Sequence, residues 1–142
     1  MGKVSPDELV HGDHIYSYRR LYSYSHHGIY VGEGEVIHCT KTYESRPSFN
    51  LKGSCTCGFD PNKDHGVVKT CLQCFLSGQK LRRVEYGVSS KRLLLKRAGT
   101  CSTENSNEAK TVLDRAEKLL REIPLANTIW SLTTVKALLG IA

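Results

Sequence analysis

A chain of 142 residues with a net charge of +6, 39% hydrophobic and 24% charged, is long enough to bury its own core and too polar to be built of membrane spans. No run reaches the ~20 apolar residues of a bilayer-crossing helix, and Met1-Gly2-Lys3-Val4-Ser5-Pro6 lacks the apolar stretch of a secretory signal. These features predict one cytoplasmic domain over residues 1–142.

The positive charge gathers at Arg19-Arg20, at residues 80–83 and at residues 91–97. It reads as a solvated basic surface able to meet an anionic lipid membrane from its periphery. No nucleic-acid-binding motif accompanies it, so no nucleic acid partner is expected; protein partners are not legible. Gly2 fits a myristoylation signal only in part, because Pro6 stands where Ser or Thr is required.

In chain order, residues 6–10 predict a short turn, and His11-Gly12-Asp13 punctuates it. Ile15 and the tyrosines of residues 14–18 alternate with His and Ser as in a half-buried strand. Residues 25–38 carry two short apolar runs, Ile29-Tyr30-Val31 and Val36-Ile37, around Gly32-Glu33-Gly34, the pattern of a β-hairpin. Histidines stand on both arms, and imidazoles on a rigid hairpin can orient and deprotonate a nucleophile.

Residues 41–66 are rich in Pro, Gly, Ser, Asn and Asp and open a cysteine-containing insertion over 41–78. Cys55-Thr-Cys57 and, after thirteen intervening residues, Cys71-Leu-Gln-Cys74 supply four thiols that can gather round one tetrahedral ion. The expected staple is therefore a structural zinc, with the alternative that these cysteines pack as small hydrophobes. Residues 67–78 predict a strand end and a short helix, and residues 81–86 another strand. A helix over 91–98 is capped by Ser89-Ser90, and the main amphipathic helix runs over 106–122, stopped by Pro124. The hydrophobic tail 125–142 is expected to pack as a last helix. This is an α+β pattern.

His26-x-x-Ile29-Tyr30-Val31-Gly32-x-Gly34-x-Val36-x-His38 resembles the lecithin:retinol acyltransferase (LRAT) domain family, within the papain-like NlpC/P60 thiol enzymes. Gly12-Asp13-x-Ile15 is similar to that family's first strand. Cys71-Leu-Gln-Cys74-Phe75, Val84-Glu-Tyr-Gly87 and Gly99-Thr-Cys101 are similar to its plant members, and the likeness covers residues 9–122. It implies a small antiparallel sheet packed on helices, and acyl transfer or lipid hydrolysis through an acyl-cysteine with no cofactor required. It places the base on His26 and the orienting residue on His38.

Hairpin parity bears on the same choice. A three-residue loop over 32–34 with Gly34 left-handed puts His26 and His38 on one face and His27 on the other; a two-residue loop at Glu33-Gly34 reverses this.

The family's nucleophile is a cysteine opening the helix after the long amphipathic one. Here no cysteine follows Cys101, and Pro124-Leu-Ala-Asn127-Thr128-Ile-Trp130 stands in that place. Cys39, next to His38, points to the opposite face; Thr128 is a weak nucleophile. Three readings stay open: a catalytically silent LRAT domain, an active acyltransferase or hydrolase using Cys101, and a zinc-stapled interaction module with structural histidines.

Overall fold

The computed structural model describes residues 3–19, 24–40, 57–59, 66–94, 101–102 and 108–122. Cys55, Thr128, most of the 41–78 insertion and the tail 125–142 lie outside them.

Strands β1 (His14–Arg19), β2 (Tyr24–Gly32), β3 (Glu35–Thr40), β4 (Gly66–Cys71) and β5 (Arg82–Arg83) form one sheet in the order β4-β3-β2-β1-β5, every pair antiparallel. Among the described residues, helices α1 (Leu72–Leu76), α2 (Ser90–Leu94) and α3 (Ala109–Glu122) complete the regular structure, after a 3-10 turn at Pro6–Glu8. This is the α+β class that the pattern of residues predicts.

The sheet is covered on both faces. On one, Val112 and Ala116 of α3 bury Ile29, Ile37, Cys39 and Val67, with Leu113, Leu119 and Leu120 at the margin. Each fully buried isoleucine there contributes roughly 1.5–3 kcal/mol. On the other, Phe75 of α1 packs with Ile15, Val36 and Leu81. Double coverage corrects the reading of residues 14–18 as a half-buried strand, because His14 and Ser17 are as buried as Ile15 and Tyr16.

The hairpin corrects the expected loop. Gly32 pairs with Glu35, leaving a two-residue turn at Glu33 and Gly34, whose φ values of 53° and 75° are both left-handed. Taken alone this turn would send His26 and His38 to opposite faces. A bulge between Tyr30 and Gly32 shifts the register, so that Tyr30 faces Val36 and Gly28 faces His38. The inserted residue restores the parity that a three-residue loop would have given.

Two further elements depart from expectation. The strand predicted over 81–86 is regular only at Arg82–Arg83, because Glu85 leaves β1 to pair in parallel with Cys101. Helix α2 is described over Ser90–Leu94, and Leu94 is exposed instead of supplying core.

Candidate active site and thiol cluster

His26 and His38 come together on the α1 face. His26 Nε2 lies 3.0 Å from His38 Nδ1, and His38 Nε2 lies 2.9 Å from Thr70 Oγ1. The Thr70 hydroxyl donates to the Cys71 carbonyl at 3.0 Å, and that fixes the direction of the whole chain. Thr70 Oγ1 must accept from His38 Nε2–H, so His38 Nδ1 carries the lone pair and accepts from His26 Nε2–H. In the neutral pair, Nδ1 of His26 is then the basic nitrogen. Such a hydrogen-bonded pair has the chemistry for one ring to take a proton while the other orients it.

Aromatic packing holds this geometry. Phe75 sits 5.2 Å from the His26 ring and 5.1 Å from the His38 ring, and Phe59 packs on His38 at 6.2 Å. Gly28 makes room for Phe75, since a Cβ there would lie 2.9 Å from the phenyl edge and 2.8 Å from Val36. Arg19 anchors α1 to β1 by donating to the Leu76 carbonyl at 2.7 Å, to Ser17 Oγ at 2.7 Å and to the Phe75 carbonyl.

The opposite face carries a second histidine pair that the sequence did not announce. His27 Nδ1 lies 2.8 Å from His14 Nε2, His14 Nδ1 lies 2.6 Å from the Tyr86 hydroxyl, and Ser25 Oγ lies 2.8 Å from His27 Nε2. Burial lowers the His27 pKa to about 4 and raises that of the Tyr86 phenol. His27 is therefore neutral at physiological pH, and both rings are buried.

Cysteines 57, 71 and 74 converge, their sulfurs all within 4.8 Å of one another. Cys57 Sγ is 3.6 Å from Cys74 Sγ, and the Cys74 N–H points at Cys71 Sγ at 3.4 Å. Three thiols in this arrangement can hold a metal ion. Cys55, the fourth predicted ligand, lies outside the described residues. Cys39 is buried on the α3 face, as alternation along β3 requires. Cys101 is 4% exposed, and its backbone bridges in parallel to Glu85.

The structure brings together the predicted His26 and His38, and the contacts of Thr70, Phe75 and Gly28 around them were not anticipated. The available signal was Thr70 directly before the Cys71-Leu-Gln-Cys74 motif, at the end of the strand expected there.

Residues 7–126, which include the sheet and its histidine pair, match the family model for lecithin retinol acyltransferase. The chain belongs to that family, the LRAT domain proteins. It is 41% identical to the protein LEAD-SENSITIVE 1 of Arabidopsis thaliana, a similarity covering 84% of this chain and 51% of that protein. The chain thus spans about half the length of the curated relative it matches, and its kinship is with a plant member of the family. Among the described residues no helix is long and apolar enough to cross a membrane.

Proposed function

We propose that this chain is an LRAT module that carries the base half of a thiol acyl-transfer site, His26 oriented by His38, and is catalytically silent over its 142 residues because no cysteine after Cys101 supplies the nucleophile. The observation that carries this reading is the directed chain from the Cys71 carbonyl through Thr70 and His38 to His26. It presents His26 Nδ1 as the atom that would take a thiol proton. The substrate class for such a site is a lipid acyl ester, met at an anionic membrane surface that the charge of +6 favours, with the domain otherwise cytoplasmic. The acyl chemistry needs no cofactor. The thiol cluster belongs to the framework, and a structural zinc suits its donors.

The reading of Cys101 as a substitute nucleophile is opposed by its burial. Incubation with a p-nitrophenyl acyl ester, followed by intact mass measurement, tests the silent reading. No covalent adduct is expected; an acyl adduct lost in Cys101→Ser would replace it with the active reading. In Asn127→Cys the introduced thiol should react with iodoacetamide faster than in the same variant carrying His26→Ala. Equal rates would mean that the pair is not poised over that position, and the site would be structural.

A further inference from the structure

Each cysteine of the cluster stands within two residues of a group that holds the His26–His38 pair. Cys71 follows Thr70, and its own carbonyl is the last acceptor of the chain that orients both rings. Cys74 precedes Phe75, which packs on both imidazoles. Cys57 lies two residues before Phe59, which packs on His38. The same three sulfurs lie within 4.8 Å of one another.

We propose that Cys57, Cys71 and Cys74 bind one zinc ion that acts as a clasp, fixing α1 and residues 57–59 against the histidine pair and so holding its orientation. The clasp builds on the reading of that pair as an orienting device, but its metal chemistry stands apart from it.

The donor set and its geometry fit the ion. Tetrahedral zinc thiolates have Zn–S distances of about 2.3 Å, which places their sulfurs about 3.8 Å apart; the 3.6 Å between Cys57 and Cys74 is close to that spacing, and Cys71 needs only a small inward movement. The two-residue spacing of Cys71 and Cys74 lets the Cys74 amide donate to Cys71 Sγ, a bond that strengthens as the sulfur becomes a thiolate. Binding releases the three thiol protons and gives a complex of net charge −1, with a fourth position for another donor. The ion is needed because α1 is only five residues long, too short to persist by its own hydrogen bonds. A cross-link between its N-terminal cap, Cys71, its buried Cys74 and the separate Cys57 supplies what helix length does not.

The test uses the full 142-residue chain. Native mass spectrometry after purification in reducing buffer with equimolar zinc should show one ion per chain, with three protons lost. Cys57→Ser, which alters an exposed position and spares the core, and Cys71→Ser should each weaken zinc binding by more than roughly tenfold. Imidazole nitrogen resonances should shift at His26 and His38 on chelation by EDTA, while those of His14 and His27 stay in place. Fully folded chain that takes up no zinc, or a Cys57–Cys74 disulfide in the reduced preparation, would overturn the metal site. Zinc binding that leaves the His26 and His38 resonances unmoved would overturn the clasp. Neither failure bears on the Asn127→Cys reactivity that tests the base itself.

Discussion

Two histidine pairs occupy opposite faces of one sheet, sharing the adjacent His26 and His27 of β2, and their surroundings differ. His26 and His38 lie under the short α1, flanked by phenylalanine rings and tied through Thr70 to a backbone carbonyl. His14 and His27 lie on the α3 face between Ser25 and Tyr86, with His27 only 1% exposed. Both are hydrogen-bonded imidazole pairs with a hydroxyl at the far end. Of the four rings only that of His26 is partly accessible, whereas His14, His27 and His38 are buried. A histidine pair thus becomes a candidate base through its surroundings, and residue type alone does not separate the two.

The largest effect that would break this comparison is at Phe75. Replacing this fully buried ring in Phe75→Ala should cost about 3–5 kcal/mol, measured by urea denaturation, and should broaden the His26 and His38 imidazole resonances while leaving those of His14 and His27 sharp. Loss of both sets together would show that the two faces are not independent.

Acid should act on the other face. Burial holds His27 near pKa 4 in the folded chain against the 6.5 of an unhindered imidazole, so the unfolded chain binds its proton first as the pH falls. Stability from this group is complete above about pH 6.5 and declines toward pH 4, by about 3 kcal/mol over the window. Unfolding free energies measured across that range should lose this slope in His27→Gln and keep it in His26→Ala. The same slope in His27→Gln would assign the acid sensitivity elsewhere.

Smaller in energy, and sharper in meaning, is Thr70→Val. It deprives the buried His38 Nε2–H of its acceptor and should cost roughly 1–3 kcal/mol, whereas Thr70→Ser keeps the hydroxyl and should remain within about 1 kcal/mol of the parent. Equal losses in thermal or urea unfolding would make Thr70 a packing residue only.

Much of the framework was legible because it depends on local pattern. The apolar spacing of Val112, Ala116, Leu119 and Leu120 marks α3 and its buried face, and both are found. His26 and His38 were legible from motif spacing, yet the parity that joins them was reached through a turn and a bulge where one longer loop was expected. Sequence alone does not separate those solutions, since Glu33 at positive φ is unfavourable for a residue with a Cβ and is tolerated only because the turn demands it. The supports of the site were hidden for a different reason. Thr70 and Tyr86 meet their histidines across 32 and 72 residues of chain, and such long-range pairs leave no periodic trace.

The directed chain into His26 can be read directly from the imidazole nitrogens. In a long-range proton–nitrogen correlation spectrum at neutral pH, His26 and His38 should both show protonated Nε2 and a lone pair on Nδ1, and Thr70→Val should disturb both. A proton on Nδ1 of neutral His26 would mean that the chain runs the other way, leaving no base for a thiol to use.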